Sequence, residues 1–236
     1  MFRKIDLLMD KTIAYYKHYG VLQLLKRFFG LLGLVPFSRT LIFIILDLTD
    51  FTDDVKKPYS FQLATTEDMQ NEQKYQDYIK RCGFTKKEII YRLQKSLPLF
   101  ILKENSKMVY FLWMEQKNAT IKGFSMPLQL PQDIVYSSGA YTLPDYRGRG
   151  IASKIKKEVF HYLKEKGVKK VLGVDLPENT VALRINKKLG YKEYQTVTYK
   201  RYWYIRHYNV QKYNSREYKT FITLFKAPKD LWQTFL

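Results

Sequence analysis

The stretch from Ile134 to Leu176 constrains the fold more than any other part of the chain, because it reads as strand, tight turn, helix and strand in succession. Ile134 to Leu143 has the β-branched and aromatic content of a strand. Ile151, Ile155, Val159 and Leu163 recur at helical spacing and give the next segment one apolar face. Gly167, after Lys164-Glu165-Lys166, supplies a helix stop, and Val168 to Leu176 follows as a short buried strand. Two strands joined through a helix run parallel in one sheet, so the segment is a βαβ unit.

The turn before that helix is Arg147-Gly148-Arg149-Gly150-Ile151-Ala152. The first N–H groups of a helix lack intrahelical acceptors, and its aligned peptide dipoles leave partial positive charge there, so the site attracts phosphate oxygens. Gly148 and Gly150 remove the Cβ atoms that hold a ligand off the backbone, and Arg147 and Arg149 add forked donors suited to phosphate. After the second strand, Asn179 is placed to cap another helix with apolar positions Ala182, Ile185 and Leu189, stopped by Gly190.

Arg147-x-x-Gly150-x-Ala152 resembles the pyrophosphate loop of the Gcn5-related N-acetyltransferase (GNAT) superfamily, and the stretch from Asn179 through Ala182, Ile185, Asn186 and Lys188 to Gly190-Tyr191 resembles its second motif. The resemblance implies an α/β (α+β) fold: a mixed, mostly antiparallel central sheet with a βαβ coenzyme-binding unit and helices on both faces. It also implies acetyl-CoA as acyl-donor cosubstrate, with no metal, and direct attack of a primary amine on the thioester in a ternary complex. In such a fold the strands on either side of the loop helix splay apart. Backbone groups of Tyr141, Thr142 and Leu143 would hold the pantetheine arm there, amides of Gly148, Arg149, Gly150, Ile151, Ala152 and Ser153 the pyrophosphate, and Asn179 the arm.

The chain departs from the family at the reacting centre. Many members carry Tyr where Asn186 stands, and an amide hydrogen-bonds but does not readily release a proton. Some relatives carry a base Glu where Tyr136 stands, and an unperturbed phenol is a poor base at neutral pH. Asn186 and Tyr136 are the catalytic candidates by position. Glu115, Asp133 and Asp175 are carboxylates nearby in sequence, and water relayed to solvent is the alternative to a dedicated base.

Composition sets outer bounds. At 236 residues, 46% hydrophobic and 16% aromatic, the chain is long and apolar enough for one sizeable core with an extension. A single cysteine, Cys82, excludes an internal disulfide framework and a multi-cysteine metal site, and His18, His161 and His207 show no ligand spacing. The formal charge of +19 favours anionic partners, among them acyl-coenzyme A and an anionic amine acceptor such as a nucleotide-linked amino sugar. Alternating aromatic and basic residues from Lys187 onward fit late strands with aromatics on one face and charges on the other better than a nucleic-acid surface.

Two parts are expected: residues 58–236 as the acetyltransferase domain, and residues 1–57 as an amphipathic helical extension with a strand. In the first part Ser60 to Thr65 reads as a strand. A helix follows, capped by Thr65 or Thr66, and a second helix carries Ile89, Ile90 and Leu93. Leu99 to Lys103 and Met108 to Gln116 then pair around Glu104-Asn105-Ser106-Lys107. In the extension, Leu8 to Tyr16 and Val21 to Leu32 read as amphipathic helices and Leu41 to Leu46 as a strand. Polar residues and Pro36 break the apolar stretch from Phe28 to Leu46, so a bilayer span is not expected, and Asp6 and Asp10 interrupt any signal-peptide core. A cytoplasmic location, with or without membrane association, is expected. Two roles stay open for residues 1–54: packing on the core or on a homodimer mate, and peripheral contact with an anionic membrane. The alternative to an enzyme is a non-catalytic GNAT-like module binding a protein, membrane or nucleic acid.

Overall fold

The computed structural model describes residues 37–52, 55, 58–65, 86–94, 98–121, 124, 126–202, 205–213 and 218–224. The amphipathic helices read before residue 36 and the helix read after Thr65 lie outside the described residues. Eleven strands are described: β1 (Phe37–Asp47), β2 (Gln62–Leu63), β3 (Leu99–Glu104), β4 (Lys107–Glu115), β5 (Asn118–Ile121), β6 (Met126–Gln129), β7 (Ile134–Thr142), β8 (Lys170–Asp175), β9 (Lys192–Tyr202), β10 (Ile205–Lys212) and β11 (Tyr218–Leu224). The described helices are α1 (Lys86–Gln94), α2 (Ile151–Glu165) and α3 (Thr180–Lys188). Nine strands form one sheet in the order β11-β10-β9-β1-β8-β7-β4-β3-β2, and β5 and β6 form a separate hairpin. The β7–β8 pair is parallel and the other described pairs are antiparallel, as a βαβ unit inside a mostly antiparallel sheet requires.

Side-chain alternation assigns the two faces of the sheet. Ile44, Leu46, Tyr110, Leu112, Val135 and Val171 pack with Ile155, Val159, Phe160 and Leu163 of α2. Their strand neighbours point the other way. Phe111 and Trp113 meet Ile89 of α1, while Leu41, Phe43, Tyr136, Leu172 and Val197 are covered by Ala119, Ile121, Met126 and Leu128 of the β5–β6 hairpin. That hairpin escaped the sequence reading. Its strands alternate properly, but each has only 4 residues, and they are buried by what they pack on rather than by a strong pattern of their own.

Both helices of the coenzyme-type motifs end as their glycines require. Gly167 and Gly190 have φ of 82° and 90°, the left-handed region. At the first, Gly167 N–H bonds to Lys164 C=O and Val168 N–H to Leu163 C=O; at the second, Gly190 bonds to Lys187 and Tyr191 to Asn186. These are paired Schellman closures that satisfy the last carbonyls of α2 and α3.

The largest departure from the sequence reading concerns β1. The strand read at Leu41 to Leu46 within the extension runs from Phe37 to Asp47 and sits between β8 and β9, antiparallel to both. Leu41, Phe43, Ile44 and Leu46 are all buried, because a strand in the middle of a sheet is covered on both faces. A border at residue 57 therefore divides strands of a single sheet, which extends upstream at least to Phe37.

β1 and β8 approach each other closely at one glycine. A Cβ on Gly173 would lie 2.9 Å from Ile44 Cγ1 and 3.1 Å from Cδ1. Gly173→Val is expected to lower stability by about 1–3 kcal/mol through overpacking, read as a lower urea midpoint. An unchanged midpoint would contradict the tight β1–β8 packing.

No helix among the described residues is long and apolar enough to cross a membrane.

Candidate functional site

The site starts from a break in the sheet. β7 pairs with β8 only from Ile134↔Lys170 to Ser137↔Gly173, yet continues to Thr142 along β4. In the β4–β7 ladder the register shifts between Leu112↔Ala140 and Trp113↔Ser138, leaving Gly139 as the extra residue with φ of 72°. A bulge of this kind bends its strand and increases the local twist. Past Ser137 the β8 side of β7 has no strand partner among the described residues, so a gap opens at the end of the sheet where α2 begins.

The turn bordering that gap has the features of an anion cradle. Gly148 and Gly150 have φ of 77° and 73°, and a Cβ at either would meet nothing within 4 Å. Glycine is therefore required by backbone conformation, and the space in front of the turn is open. Gly150 is the N-cap of α2, no side chain caps the helix, and its first turn has no acidic residue. The first helical bond runs from Lys154 N–H to Gly150 C=O, 3.0 Å, so the amides of Ile151, Ala152 and Ser153 have no helical acceptor. Both arginines are braced. Arg147 Nε donates to Thr142 C=O at 3.1 Å with its guanidinium 5.3 Å from the Tyr141 ring centre, and Arg149 donates to Asp145 C=O at 2.8 Å over the Tyr146 ring at 4.8 Å. This donor set fits a pyrophosphate, so the loop residues read from the sequence lie together at the gap.

On the α2 side of the gap lies a buried polar chain that joins three elements. Lys156 Nζ of α2 donates to Asn186 Oδ1 at 2.6 Å, and Asn186 Nδ2 of α3 donates to Asp175 Oδ2 at 2.7 Å, at the end of β8. Lys156 and Asn186 are 7% and 6% exposed. Desolvation lowers the Lys156 ammonium to about 8, against the opposing pull of Asp175. Burial raises the Asp175 carboxyl, and the Asn186 hydrogen bond and Lys156 partly offset that. Lys156 sits on the apolar-periodic helix as a lone lysine among many, so its burial had no signal in the sequence.

The opposite face carries a second buried cluster. Glu115, at the end of β4, accepts from Arg92 Nη1 of α1 at 2.9 Å and from Ser138 Oγ of β7. Glu115 is opposite Tyr136 in the ladder, which puts both on one face. Tyr136 is buried, and desolvation first, then the charges of Glu115 and Asp175, raise its phenol well above the ordinary value. Tyr136 therefore stays a neutral phenol. Asn186 and Tyr136, the two catalytic candidates by position, lie on opposite faces of the sheet. Asp133 is in a surface ion pair with Lys169 at 3.4 Å, away from the gap. Asn179 caps α3, its Oδ1 accepting from Ala182 N–H at 3.3 Å, which leaves its amide N–H groups as what it can offer a ligand.

A cavity of about 580 Å³ occupies the other end of β1 and β8, lined among others by Asp47, Asp50, Lys157, Lys170, Lys188 and Lys192. It includes no residue of the gap or the turn, and its walls carry both charges. Among the described residues no group of three or more His, Cys, Asp or Glu is placed to hold a metal ion.

Comparison with known proteins agrees with this geometry. The profile of the Acetyltransferase (GNAT) family matches residues 63–191, more than half of the chain. Over 68 residues the chain is 29% identical to the aminoglycoside N(6')-acetyltransferase type 1 of Salmonella typhimurium, a match covering 29% of this chain and 47% of that protein. The chain thus spans about half the length of the curated relatives it matches. Among solved structures, a GNAT-family protein from Novosphingobium aromaticivorans superposes with a TM-score of 0.50 at 14% identity, over 75% of this chain and 66% of that one. A Drosophila protein superposes with a TM-score of 0.50 at 9% identity, over 78% and 58% of the two chains. At such identities the likeness concerns the fold. The profile match over residues 63–191, together with the glycine cradle at the start of α2, leads to one conclusion: this chain belongs to the acetyltransferase (GNAT) family.

Proposed function

We propose that the protein transfers an acetyl group from acetyl-coenzyme A to a primary amine. The observation that carries this reading is the open gap between β7 and β8, leading directly to the uncapped, glycine-lined start of α2. Bound there, acetyl-coenzyme A supplies an activated thioester. The amides of residues 151–153, with Arg147 and Arg149, take the pyrophosphate, and the backbone of Tyr141, Thr142 and Leu143 lies along the gap where an extended arm can pair with it. The bulge at Gly139 bends β7 just past the point where its pairing with β8 ends. The neutral amine attacks the thioester carbonyl: a C–N bond forms, the C–S bond breaks, and one proton passes from nitrogen to the solvent or a relay.

The acceptor is proposed as an amino-sugar amine. The relatives' names specify aminoglycosides, and the basic surface favours an acceptor that also carries an anionic group. An amine panel holding aminoglycosides, nucleotide-linked amino sugars and peptides, read by thiol release, separates these classes. Thiol release with aminoglycosides alone would remove the anionic group from the proposal. The amphipathic stretches before residue 36 complete the reading as a contact with a partner or an anionic membrane; equal liposome flotation of the full chain and a chain lacking them would reject the membrane contact.

Arg147→Glu tests the cradle. Replacing a braced phosphate donor by a carboxylate is expected to weaken acetyl-coenzyme A binding about 10–100-fold in calorimetry, the equivalent of one or two charge-assisted hydrogen bonds. Unchanged affinity, or no binding by the wild type, would sink the assignment.

A further inference from the structure

The place where many family members carry a phenol that protonates the departing sulfur holds Asn186 here, and Asn186 is not idle. Its amide is oriented unambiguously: Oδ1 faces an ammonium and Nδ2 faces a carboxylate, and the flipped amide would set N–H groups against Lys156 and oxygen against Asp175. Asp175 thus fixes Asn186, and Asn186 fixes the lysine. The three residues come from β8, α3 and α2, the elements that border the gap on one face, and Asp175 lies two residues beyond Gly173, where β8 last pairs with β7. Lys156 lies five residues beyond the start of α2, roughly 7–8 Å along the helix axis from the anion cradle.

We infer that Lys156, held by Asn186 and Asp175, faces the coenzyme A sulfur and supplies the proton that the departing thiolate takes up. This inference rests on the transfer reading above and names a residue for its last step. When the C–S bond breaks, the electron pair goes to sulfur, an N–H proton of the Lys156 ammonium moves to it, and neutral Lys156 regains a proton from solvent, which has received one from the attacking amine. The atoms balance to amide and free thiol.

The chemistry suits the exchange. A buried ammonium lowered to about 8 is close in acidity to an ordinary thiol, so it can give up its proton to a thiolate without a steep uphill step. Desolvation lowers its pKa and the charge of Asp175 from β8 opposes that, while the Asn186 amide of α3 and the Tyr191 ring, 6.0 Å away at the start of the segment leading into β9, face the ammonium. Tyr191 itself stays neutral, since burial, then Asp175 and Tyr110, hold its phenol well above the ordinary range. The Lys156 ammonium, held at one remove from Asp175 by the Asn186 amide, also lowers the pKa of a thiol beside it.

The test follows the thiol of bound coenzyme A through its ultraviolet thiolate band, in the full-length protein, with protein alone subtracted. In the wild type the bound thiol is expected to titrate below free coenzyme A. In Lys156→Met, and in Lys156→Gln should the first variant fold poorly, its midpoint is expected to rise by about one pH unit or more, while coenzyme A affinity stays within about threefold. Lys156→Arg keeps the charge but holds its proton, so the low midpoint is kept while kcat for acetyl transfer falls about 100-fold with little change in KM for acetyl-coenzyme A. A bound thiol that titrates alike in the wild type and in the neutral variants overturns the inference alone. A wild type that does not bind coenzyme A overturns the transfer reading with it.

Discussion

A chain shortened to residues 58–236 is expected to lose cooperative folding, although that is where the sequence alone draws the domain border. The shortening removes β1, whose backbone pairs with β8 from Ile42↔Asp175 to Asp47↔Lys170 and with β9 from Phe37↔Arg201 to Ile45↔Lys192. Both partners would become unpaired edges in the middle of what was one sheet, a template for aggregation. Leu41, Phe43, Ile44 and Leu46 are at most 4% exposed, and each buried side chain of this size contributes about 1.5–3 kcal/mol. Their joint loss, about 6–12 kcal/mol, is comparable to the whole net stability of an ordinary domain. Near-ultraviolet circular dichroism and a urea titration decide the matter. A shortened chain with a sharp two-state transition and native aromatic signals would show that β8 and β9 can close on each other without β1.

Gly150→Val is expected to reduce acetyl-coenzyme A affinity by about 100-fold or more, equivalent to at least two charge-assisted contacts. Two effects act at once. A β-branched residue at φ of 73° is strained by about 1–3 kcal/mol, and its side chain fills the open space in front of the first amides of α2. Gly167→Val separates them. Gly167 also has a positive φ, 82°, with nothing within 4 Å of a built Cβ, but it lies at the other end of the same helix. Both variants are expected to lose similar thermal stability, and only Gly150→Val to lose the ligand. Equal affinity losses in the two would mean that the effect is general weakening of α2 rather than obstruction of the cradle.

Much of the donor side was legible because local rules dictate it. Helix-period residues Ile155, Val159 and Leu163 bury the face they were read to bury, and the stops at Gly167 and Gly190 depend on a left-handed conformation that glycine adopts readily. The reacting centre was less legible. Lys156, Asn186 and Asp175 are far apart in sequence, and Arg92, Glu115 and Ser138 likewise meet only through α1, β4 and β7. Side-chain type gives no signal of such meetings: Lys156 is one of 41 Lys and Arg residues, and burial alone sets it apart. The aromatic and basic tail is a mixed case. Tyr199 and Tyr208 are buried on one face, as alternation requires, whereas Tyr202 and Tyr213 at strand ends are exposed.

By itself the sequence determined the βαβ unit, the glycine cradle and the family, since each depends on neighbours within a few turns of chain. Tertiary structure decided two things that have no local code. It set β1 between β8 and β9, because an apolar run from Leu41 to Leu46 is stable only where both its faces are covered, and nothing within the run says by what. It also drew a lysine, an asparagine and an aspartate into one buried chain beside the gap, where desolvation rather than residue type sets the acidity of Lys156.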